Sequence, residues 1–431
     1  MKIDVVAIEM GYGHLRAAYP LADALGEKVQ LADEAPLANE ADQKLWRWVR
    51  RAHGLMSRPA AWAALERPAN SLMDWVTMIP SLDSKMDQSA PDVGTRAIDQ
   101  LIERGLGQGL VQSLRERGSA LLTTFYAPAI IADKAGHSPV YCVVTDADVQ
   151  RVWVAKDPAK SNIHYFAPSS RVVRRLRAYG VSDSRITLTG FPLPFEMTDS
   201  ASNDARRAAV ARRIVRLDPE RSFRALHESV VETVLGPLPE NETNAPVQLM
   251  FAVGGAGAQV DLSQAFLPRL REPILHGRLR LCLVAGTRAE VAEQFGRHLR
   301  QAGLLSVLGT GVTILYDANF EAYYRKFNQE LALTDVLWTK PSELSFYAGL
   351  GIPLILSHPV GTHERYNRRF LRDQGAGLKQ RRVEQLPSWF DEWLFDGYLA
   401  AAAWSAYLRI PSNGTGRILQ TLNSLSQGAE G

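Results

Sequence analysis

Two doubly wound α/β domains, each built on a parallel sheet, are what this sequence predicts, and three observations carry the prediction. First, 431 residues exceed what a single ordinary core organises, so two domains of roughly 200 residues are expected. Second, short apolar runs rich in β-branched residues alternate with helical stretches, the pattern of strands buried on both faces. Third, this series stops once and restarts. The first set is "DVVAI" (4–8), "ALLTTF" (120–125), "VYCVVT" (140–145), "IHYFA" (163–167) and "ITLTG" (186–190), with "KVQLAD" (28–33) as a further candidate. The second is "VQLMFAV" (247–253), "LRLCLVA" (279–285), "VTILY" (312–316), "DVLWT" (335–339) and "PLILS" (353–357).

The break between the sets, 193–246, contains the arginine-rich helix "DARRAAVARRIVRLDPE" and the loop "GPLPENETNAP". Its Pro, Asn and Glu clusters read as a linker or insertion, and its arginines as a solvated helix face, because no aromatics interleave them. The expected domains are therefore 1–192 and 247–385. Residues 386–431 are expected to be terminal helices, with packing back on the first domain left open.

The composition is globular, with 46% hydrophobic and 22% charged residues. A net charge of +3 demands no nucleic acid, and none is expected as a partner. Cys142 and Cys282 sit within strand-like runs, without zinc-type spacing, and are expected to be reduced core residues. No signal peptide or membrane span is recognisable, so a cytoplasmic protein is expected, with a peripheral seat at the inner face of a membrane left open. The stretch "KLWRWVRRAHGLM" (44–56) keeps that possibility alive. Leu45, Trp48, Val49, Ala52, Leu55 and Met56 share one helical face, opposite Lys44, Arg47, Arg50, Arg51 and an outward Trp46. Such a helix either grips lipid or packs on the sheet with a solvated basic face.

Ligands of open α/β sheets bind at the carboxyl ends of strands, so the turns there hold the candidate chemistry. "GYGHLRA" follows the first strand, with Gly11 and Gly13 spaced as in a dinucleotide fingerprint and Asp33 at a suitable distance. Arg16 occupies the third glycine's place, so a tight turn with an incidental His14 is the alternative. "TDADV" (145–149) offers Asp146 and Asp148 as a carboxylate pair for a metal, as caps, or, for Asp146, as support for a base at His14. "GGAGAQVDLSQAF" lets backbone N–H groups at Gly254, Gly255 and Gly257 approach a diphosphate ahead of a helix N-terminus. Finally, "LWTKPSELSFYAGLGIPLILSHPVGTHERYNRRFLRDQGAG" (337–377) concentrates Lys340, Ser342, Glu343, Ser345, His363, Glu364 and Asn367 in two adjacent strand-end loops. Glu and Asn suit sugar hydroxyls, while Lys and His suit phosphate.

This last segment resembles the diacylglycerol glycosyltransferases and their relative, the lipid-linked N-acetylglucosaminyl transferase of peptidoglycan synthesis (family 28 type). "TKPSELS…GLGIP…PVGTHERYN…GAG" follows their K-P-G-G-x-T-x-x-E, G-x-P, P-x-x-G-Q-E-x-x-N and G-A-G order. "GYGHLRAA" stands where they have G-G-G-H-x-x-A, and "VVTDADVQRVW…HYFAPSSRVVRRLRAYGVSDSRITLTGFP" follows their first-domain motifs. The resemblance implies a GT-B fold of two Rossmann-like domains. It implies an inverting transferase that takes a nucleotide-sugar, usually UDP-linked, as co-substrate, with no cofactor and no obligatory metal. His14 then becomes the acceptor's base, with Asp146 beside it. The donor falls to Gly254, Gly255, Gly257, Gln259, Lys340, Ser342, Glu343, Ser345, His363, Glu364 and Asn367. The acceptor, a lipid or another hydroxyl compound, falls to Gly11, Tyr12, Gly13, Trp46 and Trp48.

The chain departs from the family where Ser342-Glu343 replaces the glycine pair, where His363 replaces glutamine, and where the following helix is about two residues shorter. The ribose-binding glutamate has no clean counterpart, and Glu343, Phe346 or Ala348 stands in its region. A GT-B sugar-nucleotide 2-epimerase, a degenerate sugar-nucleotide or lipid-binding protein, and a nicotinamide dehydrogenase are the competing expectations.

Overall fold

Twelve strands pair in parallel as two six-stranded sheets in the computed structural model, which describes residues 2–47, 79–82, 87–198, 204–254, 257, 259–359 and 361–427. The chain divides into two units. Unit 1 is Met1–Phe195, Val360–Asn367 and Asn413–Gly431; unit 2 is Glu196–Pro359 and Arg368–Ser412.

In unit 1 the strands are β1 (Ile3–Ala7), β2 (Val29–Leu31), β3 (Ala120–Thr123), β4 (Val140–Val143), β5 (Ile163–Ala167) and β6 (Ile186–Leu188). Their order is β2-β1-β3-β4-β5-β6. Strands β1, β3, β4 and β5 are buried along their whole length, which is why they read as unbroken apolar runs. The one charged residue in β1, Asp4, is satisfied at the amino edge by Ser119 Oγ at 2.6 Å and Arg117 Nε at 3.3 Å. Because β1 lies between β2 and β3, the chain leaves β1 in one direction and returns on its other side. The crevice for a ligand opens at the carboxyl ends of β1 and β3.

In unit 2 the strands are β7 (Val247–Ala252), β8 (Leu279–Gly286), β9 (Val312–Tyr316), β10 (Val336–Thr339), β11 (Leu354–Leu356) and β12 (Gly377–Lys379). The order β12-β11-β10-β7-β8-β9 puts the reversal between β7 and β10. The short edge strand β12 ("GLK") carries no apolar run, and the sequence patterning passed over it.

Residues 193–246 are not a linker. From Glu196 they belong to unit 2, and helices Asp204–Arg216 and Arg224–Leu235 place Val210, Ile214, Val215 and Val231 in its core. The expected solvated arginine face is likewise absent, since Arg206 and Arg213 are buried. Arg213 donates to the carbonyls of Thr334 (2.9 and 3.1 Å), Leu350 (3.1 Å) and Gly351 (3.1 Å), and Arg206 to Gly349 (2.7 Å) and Tyr407 (3.1 Å). These carbonyls end the helix Phe320–Leu333, the 3-10 segment Glu343–Leu350 and the helix Tyr398–Arg409, and helix ends present unpaired, partly negative carbonyls. The two arginines are helix-end caps, and Arg206 also lies over the Tyr407 ring at 4.2 Å, so neither needs solvent. Burial pulls the Arg213 guanidinium down to about 10, and burial raises the Asp335 carboxyl against the pull of Arg213 and Arg216.

Helices Leu386–Phe395 and Tyr398–Arg409 also belong to unit 2, while Gly414–Gln427 belongs to unit 1, where Thr415 Oγ1 donates to the Leu193 carbonyl at 2.6 Å. Trp46 is not outward: it is fully buried in the unit 1 core with Leu37, Leu106 and Leu110. The rest of the basic stretch from Trp48 onward lies outside the described residues. Both cysteines are buried and free, and burial raises both thiols, Cys282 to about 12. Among the described residues no helix is long and apolar enough to cross a membrane.

Arg213→Met keeps the apolar stem but strips partners from three buried carbonyls. It is expected to cost about 3 kcal/mol, read as a lower urea midpoint at unchanged slope. Arg212→Ala, whose half-buried side chain reaches a single carbonyl, that of Ala332, at a long 3.4 Å, is expected to stay within about 0.5 kcal/mol. Equal midpoints for the two variants would deny the capping role.

Candidate functional site

The unit 1 crevice is built around His14. After β1 the chain turns through Gly11 at φ 109°, a backbone state that L side chains rarely adopt. The helix Tyr12–Leu25 then begins, with His14 in its first turn. The ring meets the end of β3: His14 Nδ1 lies 2.8 Å from the Thr124 carbonyl oxygen, and Thr124 Oγ1 donates to the His14 carbonyl at 2.8 Å. A carbonyl only accepts, so Nδ1 carries the proton and Nε2 of the neutral ring carries the basic lone pair. Thr145 Oγ1, at the end of β4, lies 3.3 Å from the same Nδ1. Phe125 packs edge-on at 4.7 Å between centroids and Trp153 lies at 6.2 Å, so the ring's plane is held on its apolar side too. The neighbouring Tyr126 hydroxyl is pushed up to about 12 by burial and, secondarily, by Asp92.

The turn after β4 is fixed from two directions. Asp148 is buried and receives Arg171 Nε at 2.6 Å and Arg175 Nε at 2.8 Å, so it is an ion-pair anchor and no half of a metal-binding pair. Asp146 accepts from Asn367 Nδ2 at 3.0 Å, while Asn367 Oδ1 accepts the Ala147 N–H at 2.8 Å. Asn367 is fully buried and both ends of its amide are engaged on this turn. These contacts make it a positioning residue for the turn, a role the sequence did not indicate. His363 and Glu364 precede it in the first turn of the helix Thr362–Asp373, His363 half-buried and Glu364 buried. Among the described residues no group of three or more His, Cys, Asp and Glu side chains could hold a metal.

The unit 2 crevice lies at the ends of β7 and β10. A Cβ added to Gly254 would collide with Lys340 Cε, so the glycine after β7 makes room for the lysine after β10. Gly257 takes φ 68°, and Gln259, at φ 75°, holds a strained left-handed state while its Nε2 donates to the His358 carbonyl at 3.1 Å. Ser263 Oγ donates to the Val260 carbonyl at 2.7 Å and receives His298 Nδ1 at 2.7 Å, which pins the start of the helix Leu262–Leu275. After Lys340, the Ser342 N–H folds back to the Lys340 carbonyl at 2.8 Å, and half-buried Glu343 opens the 3-10 segment. The Ser345 hydroxyl is fully buried without a hydrogen-bond partner.

Gly11, Tyr12, Gly13, His14 and Asp146 thus gather in unit 1, together with His363, Glu364 and Asn367. Gly254, Gly257, Gln259, Lys340, Ser342, Glu343 and Ser345 gather in unit 2. Trp46 is in neither crevice, and Gly255 and Trp48 lie outside the described residues. Sequence patterning missed Thr124 and Thr145, although each stands just past a strand's carboxyl end, where the switch-point rule directs attention.

No protein-family model matches the sequence. A curated relative, the processive diacylglycerol beta-glucosyltransferase of Bacillus subtilis, is 20% identical over 253 residues, which is 58% of this chain and only 52% of that protein. Among solved structures, one described as a "putative UDP-N-acetylglucosamine 2-epimerase" from Listeria monocytogenes superposes with TM-score 0.53 at 12% identity, covering 99% of this chain and 97% of that one. The UDP-GlcNAc 2-epimerase of Neisseria meningitidis, solved with UDP-GlcNAc, gives 0.50 at 13% identity over 98% and 100% of the two chains. The chain has the GT-B fold: two Rossmann-like units, each with a parallel six-stranded sheet.

Asn367→Leu keeps the volume and removes both amide contacts. The segment 144–150 is expected to exchange its backbone hydrogens several-fold faster by mass spectrometry, with β7 unchanged. Equal exchange in both proteins would show that Asn367 does not hold the turn.

Proposed function

We propose that this protein is an inverting glycosyltransferase that moves a sugar from a nucleotide-sugar, UDP-linked, to a hydroxyl acceptor. One observation carries the proposal: the Thr124 carbonyl fixes the tautomer of His14, leaving Nε2 as a general base at a strand-end crevice. Nε2 takes the acceptor's hydroxyl proton as its oxygen attacks the anomeric carbon from the face opposite the diphosphate. The bond from that carbon to the diphosphate oxygen breaks, and its electron pair leaves with UDP. Lys340, drawn over Gly254, supplies positive charge to the departing group. Asp146, held by Asn367, keeps the 145–149 turn and with it Thr145 at the ring. The similarity to a diacylglycerol glucosyltransferase supports a lipid acceptor and a peripheral place at a membrane. Trp46, buried in the core, takes no part in it.

A 2-epimerase is the second reading, favoured by the superpositions that extend over nearly the whole chain. The two differ in what they consume: a transferase needs an acceptor, whereas an epimerase converts UDP-N-acetylhexosamine alone.

Thermal denaturation with ligands tests the nucleotide site. UDP or a UDP-sugar at a hundred times its dissociation constant is expected to add about 2.7 kcal/mol, a rise of several degrees in Tm, while NAD adds nothing. Stabilisation by NAD alone would contradict the proposal. With UDP-sugars supplied, acceptor-dependent UDP release supports a transferase, and an epimeric UDP-sugar formed without acceptor shows the other enzyme.

A further inference from the structure

Several backbone amides of the described part of the glycine loop already have partners within it. The Gly257 N–H donates to the Gly254 carbonyl at 2.7 Å. The amides that open the helix Leu262–Leu275 are also engaged, Leu262 to Gln259 at 3.0 Å, Ser263 to Val260 at 3.0 Å and Gln264 to Asp261 at 3.1 Å. Among the described residues, these i−3 bonds engage N–H groups that an anion would otherwise meet at a helix start. Cationic side chains stand beside these engaged amides. Lys340 covers Gly254. Arg288, just before the helix Ala289–Gln301, folds toward Gly257. Its Nη1 lies 3.7 Å and its Cδ 3.9 Å from where a Cβ on Gly257 would stand.

We infer that Arg288 is a second anion-binding residue of this loop, pairing with Lys340 to hold a ligand carrying two adjacent anionic groups, a diphosphate. The inference deepens the proposed nucleotide-sugar reading and rests on it for the identity of the ligand. Two cations bracketing one glycine turn suit a diphosphate better than a single carboxylate, and the planar guanidinium adds directed donors. Arg288 is available to exchange partners: its ion pair with Glu290 is long, at 3.6 Å, with side chains 40% and 71% exposed. Such a surface pair holds its members weakly.

Calorimetric titration of the full chain with UDP, inorganic pyrophosphate and uridine tests this. Arg288→Ala is expected to weaken UDP and pyrophosphate about tenfold or more while leaving uridine unchanged, and Arg288→Lys to recover part of the loss. Glu290→Gln, which frees the guanidinium, is expected to bind UDP at least as tightly as the parent. UDP affinity within twofold of the parent in Arg288→Ala overturns the inference, as does an equal loss for uridine, which would mark a collapsed loop. If the parent binds pyrophosphate through Arg288 but no UDP, the inference stands and the nucleotide-sugar reading fails. If the parent binds neither, both fail.

Discussion

The hydrogen bond from His14 Nδ1 to the Thr124 carbonyl, 2.8 Å long, is the interaction on which the proposed chemistry of unit 1 depends. It joins the loop after β1 to the end of β3, the two strands between which the sheet order reverses. It also decides which ring nitrogen is basic. The return bond from Thr124 Oγ1 to the His14 carbonyl makes the contact reciprocal, so ring and helix start are fixed by one residue. A catalytic imidazole needs this kind of partner, since an unconstrained ring divides between two tautomers and many orientations.

Outward from that bond, support is layered. Thr145 approaches the same nitrogen, and its turn is anchored at Asp148 by two arginines and at Asp146 and Ala147 by the amide of Asn367. Unit 2 uses another device at its own reversal between β7 and β10. There, glycines admit cationic side chains close to the backbone, and Gln259 holds a left-handed conformation beside them. Strain of this kind, which costs of order 1–3 kcal/mol, persists where the surroundings over-determine it, and such places cluster at ligand sites. Behind the loops, Arg206 and Arg213 close the carbonyl ends of three helical segments and make one core of what composition alone reads as a connection.

Much of the fold was legible because parallel strands buried on both faces must be continuously apolar; β1, β3, β4, β5 and β7 through β11 all stand on runs that the sequence shows openly. β12 was not, because a three-residue edge strand buries little and needs no such run. The region 193–246 misled for a related reason. Its arginines look solvated by composition, but guanidinium groups can enter a core when several carbonyls receive them. Trp46 misled through helical geometry: a tryptophan among basic neighbours reads as outward until the sheet behind it is known. At the site, His14 and Lys340 were visible as chemistry-bearing residues after strands. The partner that orients His14 has no such signature, since Thr124 acts through a backbone carbonyl.

The central claim, that His14 is the base and takes no part in holding the nucleotide, is tested most directly in one paired measurement on His14→Ala. Its turnover with a UDP-sugar and acceptor is set beside its dissociation constant for UDP. The account predicts a turnover lower by about a hundredfold or more, with UDP affinity unchanged. Turnover equal to the parent's, or a loss confined to UDP binding, would contradict it.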